Sequence, residues 1–315
     1  MTELPEIPIA GFSVVRNGIR NGYPFLEAIR SALPVCSRVY VGEGFSDDGT
    51  YEALEALQRS DPRIVLCRIR WEAAGGGGAP IRTALNALRA GLTEPWLFQF
   101  DANDVIPAED VPVLRRLPTL HPDRDLLALP YRQFLGRYAF NEEFRFRLVR
   151  NLPTIRVLWD GWTMGFHLAP SELLRPREFR RVLARTALAV VQDRVAVHLP
   201  EEAVYLPRPI HHYYGLFPES FTSKMLTKEW LQANPHYRTA AVAGGGLPGS
   251  VEQYGRDHDY DGFWRKVLDH QQALRALGVP LNKEFPYAEL LPNDGHPPLI
   301  RPRLGQPRYE VGVAK

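Results

Sequence analysis

Apolar residues in the first hundred positions fall into short segments with two alternating rhythms. Ile7 to Val15, Arg38 to Val41, Arg63 to Ile69 and the run ending at Phe100 are largely apolar stretches closed by polar turns, the pattern of strands buried on both faces. Between them, Tyr23 to Leu33, Thr50 to Arg59 and Pro80 to about Ala90 repeat their apolar positions at helical spacing, and a further helix is expected from near Glu109. Strands alternating with helices predict an α/β fold with a mostly parallel central sheet flanked by helices.

In such sheets ligands bind beyond the carboxyl ends of the strands. The notable polar residues lie at those ends: Arg16 and Asn17, then Glu43 to Asp48, then Trp71 and Glu72, then Asp101 to Asp104. The last group follows Trp96-Leu97-Phe98-Gln99-Phe100 and reads Asp101-Ala102-Asn103-Asp104. Carboxylates there suit a hard divalent cation that shares its oxygen ligands with a phosphorylated substrate. The alternative is a polar turn capping the next helix. Capping is equally open to Asp48 in Ser46-Asp47-Asp48-Gly49-Thr50, against hydrogen bonding to a ribose or base. The loop Gly75 to Gly78 lacks the Gly-Lys-Ser/Thr ending of a P-loop and reads as a connector or a flap over a ligand; Gly244 to Gly249 reads as a further loop.

Composition narrows the field. The chain has 315 residues, 45% hydrophobic, enough for one large α/β domain or two smaller ones. With 38 Lys and Arg against 36 Asp and Glu, spread along the chain, no footprint for nucleic acid is present. Two cysteines, Cys36 and Cys67, are too few for a disulfide framework or a thiolate metal site. No apolar run reaches the ~20 residues that span a bilayer, and the first residues do not form a basic-then-apolar leader, so a soluble, cytoplasmic protein is expected.

The order of "GFSVVRNG", "VYVGEGFSDDGT", "GGAPIRTALNAL" and "WLFQFDANDVI" resembles the nucleotide-binding half of family 2-like glycosyltransferases with the GT-A fold. Later segments, "NEEFRFRLVRN", "WDGWTMGFHL", "HHYYG" and "GHPPLIRPRL", resemble a bacterial subgroup of these enzymes. The resemblance implies a single Rossmann-like GT-A domain over 1–315, with a nucleotide-binding half at 1–110 and an elaborated acceptor half at 111–315. It implies transfer of a sugar, with inversion, from a nucleotide sugar to a carbohydrate, lipid-linked or small-molecule acceptor. Arg16, Glu43, Asp48 and Asp101 then fall around the nucleotide. Asp101, Asn103 and Asp104 occupy the DxD region that holds Mn²⁺ or Mg²⁺, with Asn103 at the usual second acidic position. An amide oxygen ligates such a cation without adding charge, so metal dependence is less firmly implied than nucleotide binding.

Four further readings complete the candidate set. In the resembling enzymes a histidine near His211 and His212 approaches the diphosphate or its metal; the plainer reading is a histidine pair packed among tyrosines. Lys224, on an expected helix from Pro218 to Leu231, is either a phosphate contact or a solvated lysine. Asp160, between Trp159 and Trp162, is the candidate base for the acceptor hydroxyl, with the tryptophans as a stacking surface, or else part of an Asp-Gly hairpin turn. Glu143, Arg145 and Arg147 share a strand and read as a structural ion network before an acceptor-pocket lining. A nucleotidyltransferase lacks support because no glycine- and arginine-rich phosphate loop follows the first strand; a non-catalytic nucleotide-sugar-binding protein is the remaining alternative.

Overall fold

The structure, a computed structural model, describes residues 6–71, 79–159, 161–168, 189–191, 194–196, 206–215, 289–290 and 292–304. The first half alternates as its pattern predicts: β1 (Ile9–Val15), α1 (Phe25–Ala32), β2 (Arg38–Glu43), α2 (Thr50–Ser60), β3 (Ile64–Arg68), α3 (Ala79–Arg89) and β4 (Trp96–Gln99). A two-residue strand β5 (Asp104–Val105) and a 3₁₀ turn at Ala108–Asp110 lead into α4 (Val111–Leu120). There follow β6 (Leu126–Leu135), β7 (Tyr138–Arg150), β8 (Ile155–Leu158), β9 (Thr163–Leu168), β10 (Ala189–Val191), β11 (Arg194–Ala196), β12 (Ile210–Gly215) and β13 (Glu289–Leu290).

The main sheet runs β3-β2-β1-β4-β7-β6-β12-β5, with β13 paired to β7. Its first four strands are parallel, whereas β7 enters antiparallel to both β4 and β6. β12 is parallel to β6 and antiparallel to β5, so His212 stands opposite Asp104. A smaller sheet has the order β11-β10-β9-β8.

Because successive strand side chains point to opposite faces, the sheet sorts its apolar residues into two cores. Trp96 and Phe98 of β4 and Leu127, Leu129 and Tyr131 of β6 pack with the inner faces of α1, α2 and α4. Leu97, with Ala10, Phe12 and Val14 of β1, faces α3 and the strands β8 and β9. The α1 helix exemplifies the pattern, with Phe25, Ala28, Ile29 and Ala32 buried at helical spacing. Among the described residues, no helix is long and apolar enough to cross a membrane.

Parallel strands bring their carboxyl ends to one edge, and a close approach there depends on glycine. A Cβ at Gly44 would lie 2.8 Å from both Arg16 Cβ and Trp71 Nε1, so the ends of β1, β2 and β3 draw together only around a bare Cα.

Candidate active site

The chain leaves β4 at Gln99 and at once presents Asp101, then turns back so that Asp104 lies in β5. Asp104 closes this turn itself: its Oδ2 accepts the backbone N–H of Asp101 at 2.8 Å. Its Oδ1 lies 2.7 Å from His212 Nδ1, across the β5–β12 pair. Asp101 Oδ2 is 3.8 Å from the same nitrogen. Asp101, Asp104 and His212 thereby offer three ligand atoms within 4.8 Å of one another. Asn103 works differently, donating its amide N–H to the Tyr213 carbonyl at 2.6 Å and standing 3.4 Å from His212 Nε2. It braces β12 against the acidic turn.

Two carboxylates and one imidazole form a donor set that accepts Mn²⁺ or Mg²⁺, so the residues fit a divalent cation. Burial pushes the Asp104 carboxyl above the ordinary carboxylate range, with Arg147 and Arg145 pulling against that rise. A buried carboxylate of this kind gains from a nearby positive charge.

Positively charged contacts to this acidic turn come from β7. Arg147, fully buried, donates from Nη1 to Asp101 Oδ1 at 3.0 Å and from Nη2 to Asp101 Oδ2 at 2.8 Å, a two-pronged pair. Arg145, two residues earlier and so on the same face of the strand, reaches Asp101 Oδ2 at 3.3 Å. The Arg145 guanidinium also holds Glu143 at 2.5 Å and lies 3.4 Å from His212 Nδ1. Both guanidiniums sit over the Tyr131 ring, 4.8 and 5.8 Å from its centre. Burial acts to lower the Arg147 pKa, but Asp101, Tyr131 and Asp104 more than reverse it, leaving it above the ordinary arginine value. Burial likewise acts to raise Glu143, yet Arg145, Trp162 and His212 hold it below the usual carboxylate range.

Glu143 extends the network toward the tryptophans. It accepts the Trp162 indole N–H at 3.0 Å, and Trp162 stacks obliquely on the exposed Trp159 with 5.4 Å between ring centres. Trp159 and Gly161 both have left-handed backbones, φ +50° and +93°, and the Gly161 N–H closes a turn onto the Leu158 carbonyl at 3.0 Å. Gln99, the last residue of β4, donates its amide to the Gly161 carbonyl at 2.5 Å from a fully buried position. The strand that delivers Asp101 thus also fixes the tryptophan turn.

The loop after β2 is built around its acids. Glu43 is fully buried, accepting the N–H groups of Phe45 at 3.1 Å and Ser46 at 2.6 Å and pairing with Arg68 at 2.9 Å. Phe45 has φ +57° and is 44% exposed, so the braced loop displays an aromatic ring to solvent. Asp48 Oδ1 accepts the Thr50 N–H at 3.1 Å and its hydroxyl at 2.6 Å, fixing the first residue of α2, whose N-cap is Gly49. Asp48 Oδ2 accepts the Arg20 N–H at 2.7 Å, and Arg16 is exposed beside this loop. Glu43 and Asp48 therefore make local contacts that shape the edge of the site.

Strand alternation separates the two histidines. His212 joins the acidic turn, while His211 packs on Phe134, 4.5 Å between ring centres, with Nδ1 3.3 Å from the Tyr213 hydroxyl. That hydroxyl is 2.9 Å from His296 Nδ1. Burial, then His296, Arg132 and Arg208, push His211 well below the ordinary histidine value, so it is neutral at pH 7. Asp160, Glu72, Lys224 with its expected helix, and the tracts Gly75 to Gly78 and Gly244 to Gly249 lie outside the described residues.

Sequence reasoning left Arg145 and Arg147 out of the binding set and Gln99 unremarked. The signals were present: Arg145-Phe146-Arg147-Leu148 alternates charge and apolar side chains in a strand, and Gln99 is the polar residue in an otherwise apolar run.

Neither a protein-family model nor a curated protein matches the sequence. Among solved structures, the chain is similar to the mannosyltransferase PcManGT from Pyrobaculum calidifontis in complex with GDP-Man and Mn²⁺, with 18% identity, a TM-score of 0.32, and 40% of this chain and 36% of that one covered. S. aureus TarS 1–349 in complex with UDP-GlcNAc shows 16% identity, a TM-score of 0.30 and coverages of 41% and 34%. Another structure of S. aureus TarS 1–349 shows 13% identity, a TM-score of 0.35 and coverages of 78% and 77%. The chain spans about a third of the length of the first two.

Proposed function

We propose that this chain is a glycosyltransferase of GT-A type, moving a sugar from a nucleoside-diphosphate donor to an acceptor hydroxyl with inversion. The observation that carries this reading is the convergence of Asp101, Asp104 and His212 just beyond the carboxyl end of β4, at the edge where parallel strands present ligands. The resemblance of the sequence to family 2-like glycosyltransferases, including their bacterial subgroup, agrees with it.

In this reading Asp101, Asp104 and His212 hold Mn²⁺ or Mg²⁺, and Asn103 secures the strand that carries His212. The cation supplies positive charge for the departing diphosphate. Arg16, Glu43 and Asp48 form the nucleoside edge, with Glu43 and Asp48 acting chiefly through the loop they brace. Trp159 and Trp162 give a sugar an apolar face, and Asp160, between Trp159 and Gly161, takes the acceptor proton. The acceptor is a carbohydrate, a lipid-linked sugar or a small molecule, and the reaction takes place in the cytoplasm.

A thermal-shift screen of nucleoside diphosphates and nucleotide sugars, with and without Mn²⁺, tests the donor site. A ligand that binds only the folded state raises the melting temperature. Stabilisation by at least one nucleotide, strengthened by Mn²⁺ and lost in Asp101→Ala, is the expected result. No response to any nucleotide contradicts it.

A further inference from the structure

We propose that Arg145 and Arg147 make occupancy of the acidic turn by a divalent cation conditional on a diphosphate arriving with it. The proposal rests on the reading that this site takes a nucleoside diphosphate. Its basis is that the two guanidiniums already hold the Asp101 carboxylate, with Arg145 also close to His212.

Arg147 engages both oxygens of Asp101, at 3.0 and 2.8 Å, and is fully buried. Arg145 approaches Asp101 Oδ2 at 3.3 Å and His212 Nδ1 at 3.4 Å, and is only 3% exposed. Guanidinium groups stay protonated in proteins, so these two charges are permanent occupants. Among the described residues the carboxylates of the cluster are Asp101, Asp104 and Glu143, one negative charge more than the two guanidiniums balance. A doubly charged ion entering alone meets two fixed cations where solvent screening is weak.

A diphosphate changes both sides of this balance. Its oxygens are ligands for a hard cation and acceptors for guanidinium N–H groups. It therefore supplies the charge and the ligands that the arginines withhold. Linkage makes the effect reciprocal, with the cation raising diphosphate affinity by the same factor. An arginine pair that served only to hold the fold would give the opposite signature, because removing it would disorder Asp101 and weaken cation binding.

The test is a calorimetric titration of Mn²⁺ into the full chain, alone and with UDP or GDP present. For the parent, the nucleotide that binds should raise Mn²⁺ affinity by roughly tenfold or more. Arg145→Gln should bind Mn²⁺ alone roughly tenfold or more tightly than the parent, with the dependence on nucleotide reduced. Arg145→Lys, which keeps the charge, should remain close to the parent. Equal Mn²⁺ affinity of the parent with and without nucleotide overturns the proposal while leaving the donor-site reading standing. So does weaker Mn²⁺ binding by Arg145→Gln. Should that variant fail to fold, the comparison in the parent decides alone. An absence of Mn²⁺ binding in every protein and condition overturns both this proposal and the cation reading beneath it.

Discussion

The carboxylate of Asp101 and the guanidinium of Arg147 meet through two parallel hydrogen bonds of 3.0 and 2.8 Å. The second residue beyond the parallel strand β4 is thus tied to β7, the antiparallel strand beside it. Losing Arg147 leaves Asp101, 28% exposed, with Arg145 at 3.3 Å as a remaining partner, so the cost falls below that of breaking a fully buried pair. Arg147→Met is therefore expected to lower unfolding stability by about 1.5–3 kcal/mol in urea titration, whereas Arg115→Gln, which breaks an exposed pair with Glu6, should change it by less than about 1 kcal/mol.

Asp101→Ala and Asp104→Ala should both reduce transfer and divalent-cation binding, the loss of a ligand removing stabilisation worth several kcal/mol in the transition state. Asp104 also closes the turn through the Asp101 N–H, so Asp104→Asn separates its two roles by keeping an acceptor for that bond. Full activity of Asp101→Ala in excess chelator would count against the metal assignment.

Much of this architecture is written in the sequence. The strands β1 to β4 and helices α1 to α3 follow from apolar periodicity because each buries a complete face, which forces that periodicity on the chain. The acidic turn is legible as carboxylates following an apolar strand. Its partners are not, because β7 and β12 reach it from 46 and 108 residues away, and no local pattern encodes which strand pairs with which. The antiparallel entry of β7 between β4 and β6 is hidden for the same reason. Arg145 and Arg147 accordingly read as members of an ion network with Glu143, and only that pairing places Asp101 against them. Glu43 and Asp48 show the converse, since an acid beside a turn satisfies its own backbone as readily as a ligand, and here each binds nearby N–H groups.

Gln99→Leu should leave the acidic turn in place but release the Gly161 carbonyl from the Gln99 amide. An unpaired buried carbonyl costs about 1–3 kcal/mol, part of which the turn relieves by moving. Sugar transfer should fall more than hydrolysis of the donor by water if the tryptophan turn serves the acceptor, as in the proposed function. Parallel loss of the two activities would place Gln99's influence on the donor side instead.

Asp110 provides a pH prediction apart from the chemistry. It is buried at the start of α4, with Oδ1 accepting the Arg208 N–H at 3.0 Å and Oδ2 without a hydrogen-bond partner among the described residues. Burial raises its pKa to about 6, with Glu109 adding to the rise and the Arg208 contacts opposing it. The folded state therefore holds this proton more tightly than the unfolded chain does, and stability is lost as pH rises from about 4 to about 6. Asp110→Asn should remove that slope and stabilise the protein at pH 7 by up to about 3 kcal/mol. Urea unfolding of both proteins at pH 4 and pH 7 measures the difference.

Asp160→Asn should depress turnover by about 10²- to 10⁴-fold with little change in nucleotide affinity, as expected for a group that accepts a proton only as the new bond forms. Parent-like turnover at saturating donor and acceptor would move the base elsewhere and leave Trp159 and Trp162 as parts of a packed turn.

In the proposed function, the edge at Asp101, Asp104 and His212 receives a nucleotide sugar and releases its diphosphate. The most direct measurement is chromatographic identification of the nucleotide product after incubation with a panel of nucleotide sugars and Mn²⁺, using Asp101→Ala as the control. Free nucleoside diphosphate from at least one donor is expected in the parent, and its loss in the variant. Release of pyrophosphate, or nucleotide binding with no diphosphate formed once acceptors are supplied, would contradict it.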